Sequence, residues 1–362
     1  MPSGRYVVWP AVALLSLVLT ACGGDAATTT AAATATPTAT VAPAASPTPT
    51  DTPPAPSGLS SVSIALPPVG IQTMALHTAL EGGFFEQHGL DVTLTVVGTP
   101  RDVMRAVRMG QSDLAVVPPH QVANSLSSPR PLVAIGAIGG STQLNVVIGT
   151  AAAAQRGLTA DSPLEERLLG LKGLRLAHPP GPLGVNTARA VVEAAGLDPA
   201  QDVELVPTAG ADEASALREG LIDAFVGHHP YLEDVIVDGT AIMLLHLTGG
   251  ELPSIGGFPN QVLALSPDAI AGKEDVLRAV LAALQDAQQA IREDPTVATQ
   301  ALAAAFPDLS AAVLEQGVSI YAPGVPASPV ITEEAYQTAL KIFGLSDVPF
   351  AQLVNSSLID AS

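Results

Sequence analysis

"HTALEGGFFEQHGLDVTLTVV" (His77–Val97), followed by "MRAVRMGQSDLAVV" (Met104–Val117), carries the pattern from which the fold is read. Met74, Leu76, Leu80 and Phe84 recur at helical spacing, and Gly82-Gly83 weaken the end of that helix. Gly89 then lets the chain turn into "LDVTLTVVG", which reads as a strand. "RDVMRAVRMG" is a second helix with Val103, Met104 and Val107 on one side, and "DLAVVPP" is a short, fully apolar strand. Ahead of them "SVSIALPP" (Ser61–Pro68) alternates Val62, Ile64 and Leu66, and two prolines stop it. Strands and helices in strict alternation predict a parallel sheet with helices on both faces.

Working outward, "PLVAIGAIG" and "QLNVVIGT" add two strands to this module. After a polar stretch around Gly157–Glu166 the pattern restarts with "LKGLRLAHPPG", "VNTARAVVEAAGL", "DVELVPT", "ADEASALREGL", "IDAFVGHHP", "YLEDVIVDG" and "AIMLLHL". From Asn260 one strand, "QVLALSP", precedes helices at 273–293, 295–305, 310–320 and 332–343, with prolines at 295 and 307 between them. The body is roughly 300 residues, long for one core. The expected fold is therefore α/β with two lobes, each a mostly parallel sheet flanked by helices, joined by a hinge. Lobe 1 is expected at 59–150 and 250–362 and lobe 2 at 151–249, with crossings near Thr150 and Gly249.

The N-terminus reads as an export signal over residues 1–21: Arg5 at the start, a mostly apolar run from Val7 to Leu19, and small residues before a cut. That run is short for a membrane-spanning helix, which needs about 20 residues. Cys22 is the only cysteine, so an internal disulfide is excluded. Residues 22–58 are nearly all Ala, Thr, Pro, Ser and Gly, a composition that cannot bury a core and predicts a disordered tether. Lys+Arg 15 against Asp+Glu 34 gives a net charge of −19. Such an acidic chain lacks the basic patches that nucleic-acid binding needs.

The opening "GGFFEQHGLDV" and "GQSDLAVV" resemble type-2 periplasmic substrate-binding proteins of ABC transporters, in the group that serves sulfonate, taurine, nitrate and thiamine-pyrimidine uptake (SsuA/THI5-like). "LKGLRLAHPPG" is similar to the strand and loop that open the family's second lobe. "DEASALREGLIDAFVGHHP" matches its Gly-x-Ile-Asp-Ala pattern. Leu19-Thr20-Ala21-Cys22 resembles the lipobox of bacterial lipoproteins. That resemblance implies lipid attachment at Cys22, with the body exported and anchored at the outer face of the bacterial plasma membrane or on the periplasmic side. The family resemblance implies a receptor that closes on a small organic solute, sulfonate-like or pyrimidine-like. It would deliver that solute to ABC permease and ATPase subunits, as a monomer and without a cofactor.

In open α/β sheets ligands bind beyond the carboxyl ends of strands. The polar residues at those ends give the candidate site: Gln72 and Thr73, Thr99 and Arg101, His120, Ser141 and Thr142 in the first lobe; Asn186 and Thr187, His228, His229 and Tyr231 in the second. Arg101 reads equally as an anion partner and as a surface charge at a helix start. Four of seven histidines (120, 178, 228, 229) fall in these loops, but without a His-x-x-x-His or Glu-x-x-His pair no metal centre is expected. Phe84 and Phe85 read as core, and Asp113 and Asp223 as turn or capping carboxylates. "HPPGPLGVNT" departs from the family: prolines 179, 180 and 182 stand where small polar residues would offer N–H and hydroxyl donors.

No catalytic motif is visible, so no enzyme is expected. The synthase branch of the superfamily, which builds the thiamine pyrimidine, carries a cysteine-rich iron motif and a Schiff-base lysine. Here the sole cysteine is in the lipobox, and Lys172, Lys273 and Lys341 lie away from the expected strand ends. A surface sensor or interaction domain of the same fold is the remaining alternative.

Overall fold

The computed structural model describes residues 6–8 and 58–359, apart from Val69 and Asp347. Cys22 and nearly all of the stretch expected to be a tether lie outside the described residues. Of the expected export signal only Tyr6–Val8 is described, as a short strand, β1, parallel to the edge of the first sheet. The remaining strands follow in chain order: β2 (Ser60–Leu66), β3 (Leu90–Val96), β4 (Leu114–Val117), β5 (Val133–Gly139) and β6 (Asn145–Gly149). Then come β7 (Arg175–His178), β8 (Glu204–Pro207), β9 (Ala224–Gly227), β10 (Ala241–Leu245) and β11 (Gln261–Leu265).

These strands form two mixed sheets, β1-β3-β2-β4-β11-β5 and β10-β6-β9-β7-β8. In the first, five strands run one way and β11 runs against them between β4 and β5; in the second, four run one way and β6 runs against them between β9 and β10. The strand β6 corrects the expected lobe boundary. Read as the last strand of lobe 1, it pairs with β9 and β10 and belongs to the second sheet, so the first crossing falls at residues 140–144 rather than near Thr150. Local pattern could not separate the two, because β5 and β6 are both fully buried, mostly apolar strands a few residues apart. The stretch around Gly157–Glu166, read as polar connection, runs into helix Leu164–Leu169, and a further helix, Thr150–Arg156, precedes it.

The same device closes both sheets. In the first lobe Asp113 takes the backbone N–H and the hydroxyl of Ser63 in β2 (2.9 and 2.7 Å), and Lys273 pairs with its other oxygen at 2.8 Å. In the second, Asp223 takes the N–H of Arg175 in β7 at 2.8 Å and the Arg175 guanidinium at 2.7 Å. Both carboxylates were expected to cap turns. Instead each pins the first parallel strand of its lobe to the third, and the hydrogen bonds and cationic partners hold both acids below the usual range. Neighbouring copies of "Gly-x-x-Asp" thus act as cross-strand clamps in two lobes of one plan.

The apolar periodicity is used as read. Helix Met74–Glu81 is buried all round except at Glu81, packed against helices Glu274–Glu293 and Thr296–Ala305, and Phe85 is fully buried beside it. Two hydrophobic cores result, the larger running from the first sheet and the C-terminal helices onto one face of the second sheet, the smaller on that sheet's other face. Among the described residues no helix is long and apolar enough to cross a membrane.

His77 lies in the first core with its ring edge-on to Phe306, centroids 5.1 Å apart. Burial lowers its pKa from 6.5 to about 4. Its folded value lies below the unfolded one, so the unfolded chain binds more protons between those limits. The stability it contributes is present above pH 6.5 and is lost as pH falls toward 4, on the order of 3 kcal/mol in all. NMR titration of the ring should find it neutral at pH 5, and a normal titration near 6.5 would refute the burial argument.

Candidate functional site

Two crossings join the lobes, residues 140–144 and 246–260, and they are stitched side by side. Asn145 donates to the Thr248 hydroxyl (2.9 Å) and accepts from the Thr248 N–H (3.0 Å), and that hydroxyl donates to the Thr142 carbonyl (2.8 Å). Ser141 donates to the carbonyl of Gly256 at 2.9 Å. Asn145, Thr248, Ser141 and Thr142 are all buried, so these bonds have no competing water.

The carboxyl ends of β2, β4 and β5 face those of β7 and β9 across this junction. Two cavities lie there and share Asn260. The larger, about 100 Å³, is walled by Pro118, His120, Thr142, Gln143, Leu183, Phe258, Asn260 and Phe343. The smaller, about 20 Å³, is walled by Gln72, Ser141, Thr248, Tyr321 and neighbours. Gln72 Oε1, His120 Nδ1 and Asn260 Oδ1 are buried there without a hydrogen-bond partner. A buried polar atom left unpartnered costs on the order of 1–3 kcal/mol, so three around one junction mark a place where a solute can supply the missing bonds. Burial also lowers the His120 pKa to about 4, which keeps the imidazole neutral. No arginine, lysine or carboxylate lines either cavity. A wider groove of about 570 Å³ among the C-terminal helices is walled by Arg292, Glu315 and neighbours, and none of the buried unpartnered polar atoms faces it.

One edge of the junction is held by a buried network. His229 Nδ1 lies 3.0 Å from Glu233 Oε1. The hydroxyl of Tyr321 accepts from the His229 N–H (3.1 Å) and donates to the Gln143 carbonyl (3.0 Å), so a C-terminal helix bonds to a second-lobe loop and to a crossing at once. Gly70 and Gly317 leave room for this ring: a Cβ on either would stand 3.1–3.4 Å from the His229 or Glu233 side chain.

The sequence matches a known family model, NMT1/THI5 like, over residues 71–298. The chain belongs to the NMT1/THI5-like family. A formylaminopyrimidine-binding protein from Halalkalibacterium halodurans is 30% identical over 159 residues, which is 43% of this chain and 44% of that protein. The chain thus matches less than half the length of that relative. The periplasmic aliphatic sulphonate binding protein SsuA from Escherichia coli is similar in structure, with a TM-score of 0.57 at 15% identity over 78% of this chain and 90% of that one. The desulfurization enzyme DSZB is also similar, with a TM-score of 0.57 at 18% identity over 82% of this chain and 97% of that one. At such identities these two likenesses speak to fold alone, and within this NMT1/THI5-like fold the site must be argued from its own residues.

Of the residues expected from strand ends, Gln72, His120, Ser141 and Thr142 line the paired cavities. The others are placed differently. Thr73 is buried and donates to the Gly70 carbonyl at 2.9 Å. Thr99 and Arg101 open helix Pro100–Arg108 at the surface, Thr99 as the cap in a capping box with Asp102. Asn186 donates to the Ile342 carbonyl at 2.7 Å. Thr187 is buried with its hydroxyl unpartnered but lines neither cavity. His228 is 2.7 Å from the His229 carbonyl and edge-on to Tyr231, which covers Gly210. Among the described residues no three His, Cys, Asp or Glu side chains come together as metal ligands.

Sequence reasoning missed Asn260, Phe258, Tyr321 and Phe343. Asn260 had a findable signal. It directly precedes β11, and an antiparallel strand brings its amino end, not its carboxyl end, to the cleft: Gln261 pairs with Gly139. The aromatic residues carry no local signal, since they come from the return crossing and from helices far along the chain.

A further buried acid sits in the second lobe. Glu213, in the first turn of helix Gly210–Arg218, is fully buried against Gly227, and neither of its oxygens has a hydrogen-bond partner. Burial pushes its pKa up to about 8. Its folded value exceeds the unfolded one, so its favourable effect is complete below pH 4.5 and is lost as pH rises toward 8. Glu213→Gln should therefore stabilise the fold by about 3 kcal/mol at pH 7 and by little at pH 4, as read from denaturant midpoints. Equal midpoints for variant and wild type at both pH values would show that Glu213 titrates at its ordinary value and refute the burial argument.

Proposed function

We propose that the chain is an extracytoplasmic solute-binding receptor that captures a small uncharged heterocycle of the aminopyrimidine class between its lobes and hands it to an ABC transporter. The observation that carries this reading is the character of the cleft walls. Neutral amide, imidazole and hydroxyl groups with unpartnered atoms meet aromatic side chains, and no cation is among them. A sulfonate or nitrate brings a full negative charge into a buried site, where it needs arginine, lysine or a run of free N–H groups. The prolines of loop 179–182 reduce that supply further, and Arg101 stands at the surface. An aminopyrimidine is flat and neutral, with both donors and acceptors on its rim, and suits carboxamides and a neutral imidazole. The partial match to a formylaminopyrimidine-binding protein supports the same class. A similar fold also serves a desulfurization enzyme, but the walls here hold no lysine, cysteine or carboxylate to drive a reaction, which favours binding over catalysis.

Calorimetric titration of the protein should find binding of formylaminopyrimidine and none of an alkanesulfonate. Gln72→Ala and Asn260→Ala should each weaken binding about tenfold, the usual worth of one buried hydrogen bond. Tight sulfonate binding with no response to the pyrimidine would reverse the assignment.

The anchor is proposed on the lipobox-like Leu19–Cys22. Lipid at Cys22, with the Pro- and Thr-rich stretch as spacer, would keep a diffusible receptor beside its transporter. Cys22→Ala should release the protein from washed membranes with solute affinity unchanged, and retention of that variant would sink the anchoring claim.

A further inference from the structure

The C-terminal helix Glu333–Ile342 does more than cover a lobe. Its Tyr336 hydroxyl is buried and donates to the carbonyl of Pro119 in the first lobe at 2.9 Å. At its other end the carbonyl of Ile342 accepts from Asn186 of the second lobe, and the Ile342 side chain packs on the second core. The next residue, Phe343, lays its ring on His120 with centroids 3.7 Å apart and planes 24° from parallel. No third ring fits between rings so close, which is the spacing of an aromatic wall and the flat group it holds.

Beside this stack the free volume is only about 100 Å³. Ligand pockets ordinarily start near 300 Å³, so the junction is too small as it stands. Yet His120 Nδ1 and Asn260 Oδ1, on the same walls, are buried and unpartnered. The polar groups of a binding site are present, and the volume is taken by a phenyl ring. That ring is also the most easily moved part of the wall. It ends the last helical turn, is only half-buried, and is followed by Gly344 at φ +72°, a conformation that lets the chain swing away without a Cβ penalty. Apart from Leu183 at the start of helix Pro182–Ala194, the other walls are strand ends and crossings, the crossings held by buried hydrogen bonds.

We propose that Phe343 is a built-in occupant of the solute's ring subsite, stacked on His120 where a flat heterocycle takes its place on binding. This rests on the aminopyrimidine reading for the class of ring, but it can be tested without the natural solute. Binding then requires the end of helix 333–342 to move, and affinity is set partly by how firmly Phe343 and the Asn186 tie hold it.

The test is titration of the full chain with unsubstituted pyrimidine, followed by calorimetry and by the His120 ring resonances. Phe343→Ala should bind pyrimidine at least tenfold more tightly than wild type, and the ring-current shift on His120, absent in the free variant, should return when pyrimidine binds. Phe343→Leu, which keeps a bulky side chain there, should stay near wild type. Asn186→Ala, which frees the helix end without touching the ring, should tighten binding by a smaller factor and serves if Phe343→Ala does not fold. Equal or weaker pyrimidine binding in both Phe343→Ala and Asn186→Ala would overturn the proposal and make Phe343 a fixed wall. Formylaminopyrimidine on wild type is read separately: if it fails to bind while Phe343→Ala gains pyrimidine affinity, the solute class falls and the occupant stands.

Discussion

The pairing of Asn145 with Thr248 is the interaction on which the two-lobed arrangement rests. It lies where one chain segment leaves the first sheet and another returns, and it uses both ends of the Asn145 amide against the backbone and hydroxyl of Thr248. Thr248 passes the bond on to the Thr142 carbonyl, so three residues of two crossings move as one. A junction of two unlinked strands would leave buried N–H and C=O groups without partners and let the lobes drift. Because the pairing is buried, the lobes keep a defined hinge, and strand ends of both sheets face the same space.

What that space accepts follows from charge placement. The protein is strongly acidic, but its best-held cations are spent on structure: Arg167 on Glu251, Arg175 on Asp223, Arg218 on Asp234 and Asp238, Lys273 on Asp113. The cleft is left to neutral groups. Desolvation reinforces the choice by keeping His120 uncharged, so an anion entering the junction would find no compensating charge. On the proposed reading the paired cavities would select by shape and hydrogen bonding, the basis on which a small neutral ring is told from its analogues.

Much of the fold was legible beforehand, because it is written in local patterns. The alternation in β2 and the helical spacing in Met74–Glu81 each depend on neighbours a few residues away, whereas the Gly-x-x-Asp carboxylates, read as turn caps, find their partners about 50 residues away. The misreadings share one cause. β6 was assigned to the first sheet because its composition matches β5, yet its partners, β9 and β10, lie more than 70 residues on. Asn260 escaped notice because a rule about carboxyl ends of parallel strands says nothing of an antiparallel return. Thr99 and Arg101 looked like cleft residues for the complementary reason: they do follow a strand end, but the helix claims the threonine as its cap and leaves the arginine outside.

By itself the sequence determined the class of fold, the two-module plan and the acidity that rules out a polyanionic partner, since each follows from composition and short-range periodicity. It also pointed, through position after strands, to four residues that line the paired cavities: Gln72, His120, Ser141 and Thr142. Only the tertiary structure decided which sheet β6 joins, which polar atoms are left unpartnered, and that the ring of Phe343 stands on His120. Those outcomes depend on contacts between residues roughly 75 to 225 positions apart, where pairing partners, packing volume and desolvation compete, and no local pattern records the winner.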